Sequence, residues 1–153
     1  MASGSKRVRR FLSDRHIEVE VVEMDESTRT SKMAADALGC EVAQIAKSIV
    51  FINDGAAVIV ISGDKRVDVK RLSQILGHNV SVADADLVRR NTGYVIGGVP
   101  PFPHSEGVKV LLDRSLKRFE EVWTAAGTPN SVMKIKVETL KRIIGKSFID
   151  VSK

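Results

Sequence analysis

Short apolar runs alternate with polar turns along this chain, and their spacing predicts both helices and strands. Val8, Phe11 and Leu12 fall at i, i+3 and i+4, which predicts a helix from Lys6 to about Asp14. Its basic side, with Lys6, Arg7, Arg9 and Arg10, suits either RNA or plain solvent. Ile17 to Val21 alternates apolar and polar residues and reads as a half-buried strand. Thr30 or Ser31 can cap a helix through Met33, Ala34, Ala37 and Leu38 that Gly39 ends. Ile45–Ile52 and Ala57–Ile61 flank the turn Asn53-Asp54-Gly55 and predict a hairpin. Both strands are nearly all apolar, so they are expected at the centre of a sheet covered on both faces. A helix follows from about Asp68 to Leu76, stopped by Gly77. A short strand near Val80–Val82 and a helix near Ala83–Arg90 come next. Val108–Leu112, Glu121–Thr124, Ser131–Ile135 and Ser147–Val151 read as strands, and Val137–Ile144 as a helix before Gly145.

The order of elements has no regular βαβ alternation. It predicts one compact mixed α/β domain over residues 1–153, with a curved, barrel-like sheet flanked by helices. A length of 153 residues suits one domain, and 43% hydrophobic residues suits a globular core. Only 5% are aromatic, so Val, Ile, Leu and Ala must build that core. No apolar run approaches the ~18 residues that span a bilayer, and the N-terminus lacks an apolar signal core. A cytoplasmic protein with no membrane partner is expected.

Charge and chemistry narrow the picture by elimination. A net charge of +5 fits an anionic partner without establishing one. Cys40 stands alone, and His16, His78 and His104 are far apart, so neither a disulfide nor a zinc site is expected. No phosphate-binding P-loop or nucleophile elbow is present, and no cofactor is expected. Two features remain. Lys47 is a cation at the mouth of an apolar strand, where it must reach solvent or meet an anion. Gly97-Gly98-Val99-Pro100-Pro101-Phe102-Pro103-His104 is a loop that glycine opens to close approach and proline stiffens. Taken by itself, such a loop is as well suited to a purely structural turn. Facing a lysine, it can hold a phosphate or a carbonyl oxygen that becomes an anion.

These residues resemble the YbaK/prolyl-tRNA synthetase-associated domain family of aminoacyl-tRNA deacylases. The resemblance is carried by Gln44–Phe51, Ser62–Asp68 and Thr92–Phe102, and continues through Val110–Asp113 and Ala126–Thr128. It runs in order from about residue 6 to 151. It implies a mixed α/β fold and hydrolysis of wrongly charged tRNA, often tRNA for proline carrying alanine or cysteine. The implied partners are the aminoacylated 3′ end of tRNA and prolyl-tRNA synthetase. The family's hallmark lysine maps to Lys47, and its G-x-x-x-P loop to Gly97 through Pro101. On that basis Lys47 is expected to hold the phosphate of the terminal adenosine or the ester oxygen. The N–H groups of Gly97 and Gly98, with Val99, are expected to polarise the ester carbonyl. A ribose hydroxyl or a bound water is expected to provide the proton transfer or the attack. Ser48, Val99, Pro100, Pro101, His104, Gly127 and Thr128 are the expected substrate contacts. The chain departs from many relatives at Ser48, Pro100 and Pro103, which bears on amino-acid specificity. Two readings from other classes stay open: a tRNA- or synthetase-binding module without turnover, and a binder of small nucleotides or phosphates.

Overall fold

The computed structural model describes residues 4–153. At its centre is the predicted hairpin: β2 (Ile45–Ile52) and β3 (Ala56–Ser62), antiparallel, with Lys47 opposite Ile61 and Ser48 opposite Val60. Every residue of β3 is buried. Its alternation explains how. Ala56, Val58 and Val60 enter one apolar cluster, while Ala57, Ile59 and Ile61 enter another on the opposite face. A continuous apolar run is therefore what this strand requires.

Seven strands form one mixed sheet in the order β1-β7-β6-β2-β3-β5, with β4 (Ser81–Val82) pairing the end of β2. β1 is Val21–Glu23, β5 Val108–Leu112, β6 Glu121–Ala125 and β7 Ser131–Lys136. The sheet stays open, with β1 and β5 at its edges, instead of closing on itself as a barrel does. β6 runs parallel to β2, setting Trp123 beside Ile45 and Thr124 beside Ala46.

Helices cover both faces. Val8 and Leu12 of α1 (Gly4–Asp14), Val88 of α4 (Ala85–Thr92) and Leu140 of α5 (Val137–Ile144) join the first cluster. Leu72 of α3 (Val69–Leu76) and Val151 join the second. α2 (Ser31–Leu38) packs Ala34 and Ala35 on Ile45 and Trp123. Its N-cap is Thr30, whose Oγ1 accepts from Met33 N–H at 3.1 Å. Asp68 and Asp84 cap α3 and α4 in the same way.

Two expected strands are corrected. Ile17–Glu20 is not a strand; pairing begins at Val21, opposite Met133. Ile17 and Val19 still pack on the core, which accounts for their alternation. Ser147–Val151 is not a strand either. It makes single bridges only, Ile149 beside Asp113 and Ser152 beside Val67. Phe148, Ile149 and Val151 are apolar because they close the core edge next to β5.

That segment is fastened by Asp113, which is fully buried. Its carboxylate accepts from Ser115 N–H at 2.9 Å and from Val151 N–H at 2.8 Å. Replacing it with alanine strands two buried donors, each worth about 1–3 kcal/mol. Asp113→Ala is expected to lower unfolding stability by about 2–4 kcal/mol in urea denaturation, and Asp113→Asn by less, since its amide oxygen keeps one acceptor.

Candidate active site

The loop from Gly93 to His104 leaves the C-terminus of α4 and folds back over the sheet. Its underside is fixed by α1. Phe11 stacks on Phe102 with centroids 4.8 Å apart, and the Arg7 guanidinium lies 4.3 Å from the Tyr94 ring centre. The Tyr94 hydroxyl donates to Pro103 O at 2.8 Å, and burial pushes its pKa up to about 12. The basic helix therefore spends Arg7 on Tyr94 and pairs Arg9 with Glu23 at 3.2 Å.

Two glycines let the loop approach its neighbours. Gly97 has φ +86°, and a Cβ there would sit 2.7 Å from Arg29 Cβ. A Cβ on Gly98 would sit 2.6 Å from the Thr128 carbonyl carbon. The loop is thus wedged between the residue preceding the α2 cap and the turn between β6 and β7.

The result is a cavity with two connected chambers. Arg29, Thr30, Ser31, Lys47, Ser48, Gly97 and Val99 line both. The narrower, of about 60 Å³, continues to Ala34, Ile45, Ala46, Trp123 and Thr124, where β2 starts beside β6. The wider, of about 390 Å³, opens past Gly63, Val82, Ala83 and Ile96. Lys47 and Gly97 thus share one cavity.

The polar groups in it have distinct states. Lys47 Nζ donates to Gly63 O at 3.4 Å, a long bond that leaves the ammonium available. Burial lowers its pKa from the ordinary lysine value; nearby Asp64 opposes the shift and Arg66 adds to it. Ser48 Oγ is buried without a hydrogen-bond partner. A buried hydroxyl left without a partner is costly, and Ser48 is also one of the residues lining the cavity. Among the described residues, the N–H groups of Gly97 and Val99 have no protein acceptor.

Several expected contacts lie elsewhere. Gly98 N–H donates to Val95 O at 2.9 Å, so the turn itself consumes the donor assigned to the ester carbonyl. Gly98 and Thr128 meet through backbone, outside the cavity lining. Gly127 packs on Gly4 at the start of α1, and the Thr128 hydroxyl bonds Ser131 Oγ at 2.7 Å. Pro100 and Pro101 are buried behind the loop. His104 Nε2 bonds Pro100 O at 2.7 Å while its ring meets Tyr94 edge-on at 5.4 Å. Burial lowers the His104 pKa. These residues brace the loop and do not line its cavity. Conversely, Arg29, Trp123 and Thr124 line the cavity without any local signal in the sequence. Thr30 and Ser31 carry only a capping signal.

A profile of the aminoacyl-tRNA editing domain matches residues 25–143, which include the whole cavity. The chain belongs to the aminoacyl-tRNA editing domain family. Membership makes it an editing enzyme, a deacylase of aminoacyl-tRNA. The chain is 36% identical over 151 residues to YwhH of Bacillus subtilis (strain 168), covering 97% of this chain and 96% of that one. It is 29% identical over 153 residues to the multifunctional Ser/Thr-tRNA deacylase ProXp-y of Escherichia coli (strain K12), covering 94% and 91%. A solved structure proposed to be a trans-editing enzyme for prolyl-tRNA synthetase superposes with a TM-score of 0.90 at 36% identity, covering 100% of this chain and 99% of that one. Among the described residues no helix of this editing domain is long and apolar enough to cross a membrane.

The Lys47 environment makes a prediction about protonation. A lowered pKa means the ammonium is lost as pH rises, at a pH below the ordinary 10.5. An NMR titration of the Lys47 ε-methylene, assigned through Lys47→Arg, is expected to show a midpoint below the ordinary 10.5. A midpoint at or above that value contradicts the burial described here.

Proposed function

We propose that this editing domain hydrolyses the ester of tRNA for proline carrying a small wrong amino acid, alanine or cysteine. The observation that carries this is that Lys47, Ser48, Gly97 and Val99 line a single two-chambered cavity, and that the Ser48 hydroxyl and the Gly97 and Val99 N–H groups have no protein partner. The wider chamber suits the terminal adenosine, and the narrow one a short side chain. Its 60 Å³ and its Trp123 wall disfavour bulky residues.

The steps follow from these groups. Lys47 holds the phosphate of the terminal adenosine or the ester oxygen and so fixes the ester against the loop. A water adds to the ester carbonyl carbon, with the neighbouring ribose hydroxyl placed to accept a hydrogen bond from it and relay its proton. The carbonyl electrons move onto its oxygen, and the Gly97 and Val99 N–H groups stabilise that oxyanion. One such donor is typically worth about 10²–10³ in rate. Collapse breaks the bond to the ribose oxygen, which takes up the proton that the attacking group gives up. With water the products are free amino acid and uncharged tRNA. An aminoacyl ester is already activated, so positioning and two donors suffice without a protein nucleophile.

A second substrate reading has an observation of its own. The Ser48 hydroxyl offers a hydrogen bond to a substrate hydroxyl, which favours serine over alanine. The similarity to ProXp-y, a Ser/Thr-tRNA deacylase by name, points the same way. Association with prolyl-tRNA synthetase is proposed on the likeness to the solved trans-editing structure.

The test is release of amino acid from tRNA for proline charged with alanine, cysteine, serine or threonine. Turnover of alanine or cysteine is expected, with Lys47→Ala lowering kcat/KM by at least ~100-fold at unchanged circular dichroism. No release across the panel favours a binding module. Release by Lys47→Ala at the wild-type rate removes Lys47 from the mechanism. In a separate comparison, Ser48→Ala is expected to lower serine release more than alanine release, by roughly tenfold, one hydrogen bond's worth.

A further inference from the structure

Behind the turn that follows β3 lies a second concavity outside the candidate active site. It is an open cleft of about 750 Å³ whose lining includes Lys65, Arg114, Lys117 and Arg118 against one carboxylate, Asp150. Arg114 pairs with Asp150 at 3.4 Å and Arg118 with Asp64 at 2.7 Å. Lys65 and Lys117 have no carboxylate partner within salt-bridge range among the described residues. The excess of positive charge is therefore real and not cancelled locally. The half-buried Phe148 ring forms part of the floor, with Lys117 Nζ 5.7 Å from its centre.

The cleft is joined to the cavity by one short stretch of chain. Gly63 lines the wider chamber and its carbonyl receives Lys47. The preceding Ser62 N–H donates to Ser115 Oγ, and Ser115 lines the cleft. The following Asp64 is gripped by both terminal nitrogens of Arg118, at 3.0 and 2.7 Å, and Lys65 lines the cleft again. Gly63 and Lys65, two residues apart, thus line the cavity and the cationic cleft respectively, with the buried Ser62 tying this turn to Ser115.

We propose that this cleft holds the sugar-phosphate backbone of the unpaired tRNA strand that leads into the cavity. The ligand chemistry is an RNA single strand. Phosphates meet Lys65 and Lys117, and a base stacks on Phe148, a combination that binds single strands without reading sequence. The assignment rests on the reading that the terminal adenosine enters the wider chamber. It gives part of the net +5 charge a partner at this cleft, where Lys65 and Lys117 lie together with Arg114 and Arg118.

The test uses the double variant Lys65→Ala/Lys117→Ala of the full chain. Both side chains lie outside the cavity lining. Hydrolysis is measured on charged tRNA and on the corresponding 3′-aminoacyl adenosine, which lacks the preceding strand. Binding of uncharged tRNA is measured by fluorescence anisotropy against salt. The variant is expected to bind tRNA roughly tenfold more weakly, with the slope of log K against log salt reduced by about 1.4, two single-strand contacts. It is expected to hydrolyse the adenosine ester at the wild-type rate. Equal tRNA affinity and equal slope in variant and wild type overturn the proposal. So does a loss confined to Arg9→Ala/Arg10→Ala, which assigns the RNA to α1. If the wild type hydrolyses neither ester but the double variant still loses tRNA affinity and slope, the deacylase reading falls and the RNA surface stands.

Discussion

Everything distinctive about the site depends on how closely one loop approaches its neighbours. Gly97 and Gly98 let the segment after α4 sit against Arg29 on one side and Thr128 on the other, at separations no Cβ tolerates. That contact closes the cavity over β2. Without it Lys47 would be an isolated cation at a strand mouth, and the Gly97 and Val99 N–H groups would face bulk water. The prolines, the half-buried His104 and the buried Tyr94 act behind the loop, holding its shape. The bracing contacts are on the outside of the bend and the cavity is on the inside.

The sheet supplies the other half. β3 is buried on both faces, so β2 beside it is firmly placed, and the register fixes Lys47 opposite Ile61 near the end of β3 at Ser62. Partial burial of the amine strengthens its interaction with an anion, because competing water is displaced. It also weakens its hold on the proton. Asp64 lies near enough to oppose that effect, yet Arg118 occupies both its oxygens. The carboxylate therefore tunes Lys47 at a distance instead of neutralising it.

Much of the fold was legible because local pattern and tertiary role agree. The hairpin followed from two continuous apolar runs around Asn53-Asp54-Gly55, and α2 and α3 from their terminal glycines, α2 also from its capping residue. The alternation at Ile17–Val21 was real but misleading: Ile17 and Val19 bury side chains without a partner strand. Ser147–Val151 misled in the same way, packing on the core while making only single bridges. In the site, Lys47 and Gly97 stood out because a lone cation and a diglycine are anomalous in apolar company, whereas Ser48 entered only through the family resemblance. The role of Gly98 N–H was not legible, since sequence does not say which donors a turn consumes internally. Arg29 and Trp123 carry no local signal because the cavity forms only when α2, β6 and the loop converge.

The most direct test of the common cavity is amide and methylene chemical-shift mapping with a non-hydrolysable 3′-aminoacyl-adenosine analogue. The predicted result is perturbation of the Gly97, Val99 and Ser48 amides and the Lys47 ε-methylene, with Gly127 and His104 little affected. Perturbations that leave Lys47 and Gly97 unmoved and gather elsewhere on the surface contradict the account.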